Sequence, residues 1–96
     1  MTTRFTWNED KAGRNLRNHG ISFDVARNVF SDPHVRYLED CEIDGEMRYH
    51  AIGLANEHLM AVVVYIARSD DNEEIIHIIS ARKAESIEEA FYAAQF

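Results

Sequence analysis

The stretch LMAVVVYIARSDDNEEIIHIISARKA, residues 59–84, sets two apolar runs on either side of a short polar connection. Val, Ile and Tyr dominate both runs, which suits extended backbone. The polar connection RSDDNE, 68–73, is too brief for a parallel crossover, which takes about a dozen residues, so the two strands must run antiparallel. Both runs are apolar on successive positions rather than on alternate ones, which places them centrally in a sheet covered on both faces.

The same period extends upstream. HVRYLE at 34–39 and RYHAIGL at 48–54 read as two further strands, and ANEH at 55–58 is again too short for a crossover. A four-stranded antiparallel meander follows. Before it the period is helical. Asn8 is an N-cap with Glu9 and Asp10 in the first turn, Trp7 and Ala12 stand at hydrophobic-staple positions, and Gly20 terminates a helix over 9–18. Ser22 caps a second helix, in which Phe23, Ala26, Val29 and Phe30 recur at helical spacing until Pro33 stops it. After the strands, SIEE reads as a capping box with Ser86 at the N-cap and Glu89 at N3, and Ile87, Ala90, Phe91 and Ala94 form the apolar stripe of a terminal helix. The expected fold is α+β: an N-terminal helical hairpin, a four-stranded antiparallel sheet and a short C-terminal helix, in one domain over 1–96.

The longest apolar run, MAVVVYIA at 60–67, falls far short of the ~20 residues of a membrane-spanning helix. The opening MTTRFTWNED lacks the layout of a secretory signal, so the expectation is a soluble cytoplasmic protein without membrane contact. Cys41, the single cysteine, can form no internal disulfide and reads as an incidental thiol in a polar loop. The net charge of −7 disfavours nonspecific attraction to nucleic acid, but it is uneven: residues 1–36 carry +2 and the remainder −9. EDCEIDGE at 39–46 and DDNEE at 70–74 hold most of the excess acid and read as solvated loops suited to a basic partner.

Several side chains have chemistry to offer. If the last strand alternates without interruption to its end, Ile76, Ile78, Ser80 and Arg82 share one face, with Arg82 as a bidentate phosphate ligand, Ser80 beside it and Lys83 adding a point charge. The plain alternative is that Arg82 pairs with an acid at the strand end. Glu46, Arg48 and His50 alternate onto one face of the second strand with Ile52 and Leu54; an acid, a cation and an imidazole are the parts of an acid–base site, although Glu46 and Arg48 could equally be a surface ion pair. Lys11, Arg14 and Arg17 form a basic stripe on the first helix, able to follow a phosphate backbone or merely to face solvent. Tyr92 can stack on a base or edge the core. His19 suits either a helix C-terminus or a catalytic role, and His77, between isoleucines, reads as a hydrogen-bonded core histidine. The five histidines lack ligand spacing, so neither a metal nor another cofactor is expected.

The words of the chain resemble the BrnT family of bacterial type II toxins, whose fold is related to RelE and ParE. They are Phe5, Trp7, Asn8 and Lys11; NHGISFDVA at 18–26; Val29, Phe30, Asp32 and Pro33; Glu46, Arg48 and Gly53; and IISARKA at 78–84 with Glu88 or Glu89 and Tyr92 after it. The resemblance implies a ribonuclease that blocks translation and is silenced by a cognate, BrnA-like antitoxin encoded beside it, as a homodimer or in a heterotetramer with that partner. The catalytic set is then Arg82, Lys83, Arg48, His50 and Glu46, acting without metal, with Lys11, Arg14, Arg17, Ser80 and Tyr92 on the RNA. Family members commonly carry arginines on the last helix, whereas AESIEEAFYAAQF here is acidic and apolar. That departure supports an alternative, a toxin-fold protein-binding module with little or no nuclease activity.

Overall fold

The computed structural model describes residues 2–96. In chain order these form β1 (Thr2–Thr6), α1 (Glu9–His19), α2 (Phe23–Ala26) running into a 3₁₀ turn (Arg27–Ser31), β2 (Arg36–Ile43), β3 (Glu46–Asn56), β4 (Leu59–Asp70), β5 (Glu73–Lys83) and α3 (Ser86–Ala93). The sheet has five strands in the order β1-β5-β4-β3-β2. Strands β2 to β5 make the expected antiparallel meander, but β1 was not expected. It pairs parallel with β5, Thr2 against Glu73 through Thr6 against His77, so the sheet is mixed. The helical hairpin is also incomplete, because the second helix makes one α-helical turn before tightening to 3₁₀.

Asn8 caps α1 by accepting the Lys11 N–H at 3.0 Å, and Gly20 closes the helix at φ 72°. Ser22 caps α2 through the Val25 N–H. These are local devices, each contained within a few residues. The two acidic runs behave differently from the solvated loops expected of them. Asp44 and Gly45, both at positive φ, make a two-residue hairpin turn, so Glu39 to Ile43 belong to strand β2 and Glu46 opens β3. The second connection shrinks similarly to Asp71 and Asn72, with Asp70, Glu73 and Glu74 paired in the sheet. Cys41 is accordingly exposed on an edge strand rather than in a loop.

One face of the sheet packs under the N-terminal helical segments. Ala51, Ala61, Val63, Ile76, Ile78 and Ala81 meet Ile21, Phe23, Ala26 and Val29 in the larger core. The 3₁₀ turn comes so close to β3 that a Cβ on Gly53 would stand 3.1 Å from Asp32 Oδ2 and 3.2 Å from Val29 Cγ1, a contact only glycine permits without displacement. The other face carries a smaller cluster, Ile52, Val62, Ala84 and Tyr92, where α3 packs.

Strand β5 changes face midway. Ser80 pairs with Val64 and Ile78 with the next residue, Tyr65, which leaves Ile79 as an extra residue in a bulge. Ile76 and Ile78 before the bulge and Ala81 after it therefore join the same core. Ser80 and Arg82 turn to the opposite face, which corrects the expectation that all four even-numbered residues would lie together.

Beyond Thr6 and His77, no strand among the described residues lies on the outer side of β5. The side chain of buried Asn15 substitutes for one: its Nδ2 donates to the Ala81 carbonyl at 2.8 Å and to Ile21 O at 3.0 Å, while its Oδ1 accepts the Ala81 N–H at 3.0 Å. A helix side chain thus satisfies both backbone groups of a strand residue that would otherwise be orphaned in the core.

Candidate functional site

Cross-strand register defines the site. On the α3 side of the sheet, Leu38, His50, Val64 and Ser80 form one row, and Arg36, Ile52, Val62 and Arg82 the next. Arg48 lies two residues from His50 on the same strand and face. The second row is covered by α3, whereas the first is more open: Leu38 is exposed and His50, Val64 and Ser80 are half-buried. With strands spaced about 4.8 Å apart, His50 and Ser80 face a common strip roughly 10 Å wide.

Arg82 is engaged. Its Nη1 and Nη2 donate to Glu88 Oε1 and Oε2 at 2.9 and 2.8 Å, a two-pronged pair across the junction between β5 and α3. Glu88 also accepts the Glu85 N–H at 2.7 Å. The helix cap is therefore the box of Glu85 and Glu88, one residue earlier than the expected Ser86 and Glu89. Arg82 holds the Glu88 carboxyl down at about 2, and Glu88 in turn raises the guanidinium above its ordinary value. Arg82 fills the plain alternative, an acid partner at the strand end, with the geometry in which an arginine holds a phosphate.

His50 Nε2 stands 3.2 Å from Asp40 Oδ2 across the β2–β3 pair. The His50 charge also contributes to lowering Glu88, so imidazole and carboxylate share one electrostatic neighbourhood. Arg48 is half-buried, and among the described residues no acid lies within ion-pair distance of it. Glu46 follows on the same face, two residues beyond Arg48 and roughly 13 Å along the strand from His50, and pairs at 3.5 Å with Arg68 of β4. Lys83 alternates away from Arg82 and is exposed opposite Ala61. Lys11, Arg14 and Arg17 are exposed on α1, whose Ala12 packs into the larger core and whose Asn15 binds the outer edge of β5. The widths of β5 and β4 separate that stripe from His50 and Arg48.

Tyr92 belongs to the architecture rather than to an RNA surface. It is 6% exposed, and its hydroxyl donates to Asp32 Oδ2 at 2.8 Å. Burial, then Asp32, pushes the phenol up to about 12. Asp32 also accepts the Leu54 and His34 N–H groups, both at 2.8 Å. Burial raises the Asp32 carboxyl, but those bonds outweigh it and hold it below its ordinary value. Sequence reasoning assigned Asp32 no role; its place beside Pro33, at a helix stop, was the available signal. His77 Nδ1 lies 2.8 Å from Thr6 Oγ1, and burial followed by nearby Arg68 and Lys11 lowers its proton affinity. His19 is exposed in the last turn of α1.

The inward face of α3 is turned from the expected stripe. Glu88 and Tyr92, four residues apart, point down to Arg82 and Asp32, which leaves Ile87 77% exposed. Arg36 ties the helix down by donating to Phe91 O at 2.8 Å with its guanidinium 4.0 Å over the Phe91 ring. Ile87, Phe91, Leu38, Ile52 and Glu88 line a largely apolar cavity of about 320 Å³ beside the Arg82 pair. No cluster of three His, Cys, Asp or Glu side chains that could hold a metal ion occurs among the described residues. No described helix is long and apolar enough to cross a membrane.

Comparison with known proteins adds to this geometry. Residues 7–88 match the family described as ribonuclease toxin, BrnT, of type II toxin-antitoxin system. Among solved structures, the 1.1 Å crystal structure of the Brucella abortus ribonuclease toxin BrnT superposes with a TM-score of 0.62 at 23% identity, over 90% of this chain and 100% of that one. At that identity the likeness speaks to the fold. No curated protein matches the chain.

Proposed function

The chain belongs to the BrnT family of ribonuclease toxins of type II toxin-antitoxin systems, and from that premise we propose that it is an endoribonuclease acting on the α3 side of the sheet. The observation that carries this reading is the placement of Arg48, His50 paired to Asp40, Ser80 and Arg82 along one partly open face. RNA cleavage through the 2′-hydroxyl needs proton transfer and a cation on the phosphoryl oxygens. In this assignment His50, oriented by Asp40, moves the proton; Arg48 meets the phosphate first; and Arg82 stabilises the charge that develops in the transition state. Arg82 reaches a phosphate only by exchanging Glu88 for it. Lys83 serves the RNA chain beyond the site, as do Lys11, Arg14 and Arg17, and Glu46 has a supporting part through Arg68.

The reaction proceeds without metal, and translation is what the cut RNA stops. A cognate BrnA-like antitoxin covers Arg82 and Arg48 and silences the site, seating an apolar side chain in the cavity beside Ile87 and Phe91. The test is cleavage of RNA by the purified protein in excess EDTA, with and without the product of the adjacent reading frame. Cleavage in EDTA that the partner abolishes supports the assignment; recovery only with Mg²⁺, or a partner that leaves cleavage unchanged, refutes it.

One observation favours a second reading. Glu88 occupies both prongs of Arg82, so a chain that never releases it is a protein-binding module on the toxin fold with little nuclease activity. Antitoxin binding with no RNA cleavage at any enzyme concentration selects this reading.

A further inference from the structure

The helix-bearing face of the sheet is not covered over its whole length. Towards the far ends of β4 and β5 it opens into a cavity of about 290 Å³ lined by Phe30, Tyr37, Tyr65, Ala67, Glu74 and Ile76. Three aromatic rings are arranged there as walls. Phe30 stands at 87° to Tyr65 with centroids 5.0 Å apart, and Tyr37 at 71° with centroids 6.4 Å apart, so two near-perpendicular rings flank a third. Tyr49 stacks behind Tyr65 at 5.6 Å and fixes the back wall.

The remaining side of the cavity holds a carboxylate. Glu74 is half-buried, and its neighbours in register, Thr3 on β1 and Ser69 on β4, are uncharged. Its sequence neighbour Glu73 is the one that pairs with Arg4. Among the described residues no cation lies within ion-pair distance of Glu74. Its charge reaches the aromatic walls, for after burial it is a cause of the raised proton affinity of both Tyr37 and Tyr65.

Aromatic faces carry negative potential and attract cations, and an acid at the open side adds to that attraction. The same field repels phosphate, which sets this cavity apart from the RNA face on the other side of the sheet. We propose that the box of Phe30, Tyr37, Tyr65 and Glu74 receives an arginine or lysine side chain of a protein partner. A polypeptide is the source because one wall of the box, Tyr37, stands on an edge strand that also carries exposed acid. Tyr37 is 51% exposed on β2, the last strand of the sheet, and exposed Glu39 follows on the same face. A basic extended segment beside β2 therefore meets both an aromatic socket and a second acid. The proposal is independent of nuclease activity.

The test follows the tyrosine and phenylalanine ring signals by NMR at constant ionic strength, with three probes: N-acetyl-arginine methylamide, tetramethylammonium and N-acetyl-leucine methylamide. The arginine amide is expected to saturate shifts of Tyr37 and Tyr65 at millimolar concentration, and Glu74→Gln to weaken it about fivefold while the thermal midpoint stays put. Tyr37→Ala, a change at an exposed ring, should weaken it similarly. Equal binding of the leucine amide, unchanged affinity in Glu74→Gln, binding of tetramethylammonium alone, or no saturable shift would each overturn the proposal.

Discussion

The two faces of one sheet follow opposite rules. On the helix-bearing face, the row Ala51, Val63, Ala81 is wholly buried. Small residues there let backbone approach backbone, and among the described residues every buried side-chain nitrogen and oxygen has a partner. On the opposite face, the row Leu38, His50, Val64, Ser80 is only partly covered, and it is bordered by charges that hold one another. Around these rows the first face is closed by shape, and the second is held by ion pairs. An anionic ligand displaces a carboxylate from a guanidinium far more readily than any ligand displaces Phe23 or Val29 from the core.

The largest expected effect tests the closed face. Asn15→Ala leaves the Ala81 N–H and the Ala81 and Ile21 carbonyls without their partner, so urea denaturation should show a loss of about 3–4 kcal/mol. A cost under about 1 kcal/mol would mean that water replaces the amide, and that this edge is more open than its geometry indicates. On the open face, Arg82→Ala should lower RNA cleavage about a hundredfold, or ~2.7 kcal/mol, at a cost of only about 1 kcal/mol in unfolding from the lost Glu88 pair. Lysine should restore part of it, since the planar fork is lost and the charge kept. Wild-type cleavage by folded Arg82→Ala would remove Arg82 from the chemistry.

Tyr92→Phe probes the seam between the two faces, where α3 is tied to the 3₁₀ turn through Asp32. Removing one of the three hydrogen bonds to a buried carboxylate should cost about 1–2 kcal/mol and loosen α3, visible as faster amide exchange in residues 88–93. Unchanged exchange would show that the helix is held by packing alone. The smallest effect concerns Glu88. Its folded-state carboxyl is depressed from 4.5 to about 2, so its contribution is fully present above the unfolded value and is lost as pH falls through the folded one. Because Arg82 is about a third exposed, that contribution is discounted to roughly 1 kcal/mol. Stability should decline between pH 4.5 and 2, and Glu88→Gln should flatten that decline while raising cleavage several-fold by freeing Arg82. Slower cleavage in Glu88→Gln would instead make Glu88 the residue that aims Arg82.

Much of this was readable one segment at a time. Asn8, Ser22 and Gly20 do what their side chains and backbone freedom dictate, because each cap closes within a single turn. The meander followed from connections too short to cross over. What was missed needed a distant partner. Thr2 to Thr6 offer Phe5 as their one large apolar side chain, too faint for a strand signal, and extend only because β5 lies beside them. Of the candidate site residues, Glu46, Arg48, His50, Ser80 and Arg82 do come to one face, Glu46 at its far end, whereas Lys83 and the α1 stripe lie elsewhere and Tyr92 is buried. The Asp-Gly turn at 44–45 was legible from local chemistry alone, but an acidic run masked it.

By itself, then, the sequence determined the antiparallel strands, the helix caps and the family, for each depends on short-range periodicity, connection length or the order of words along the chain. Tertiary structure alone decided which way Arg82 points and what it holds. The Ile79 bulge sets its face through the register between β4 and β5, and the return of α3 brings Glu88 within 2.8 Å of it. Register and docking are settled by packing between segments far apart in the chain. A pairing that reverses every side chain across a bulge leaves no trace in the local pattern of either strand.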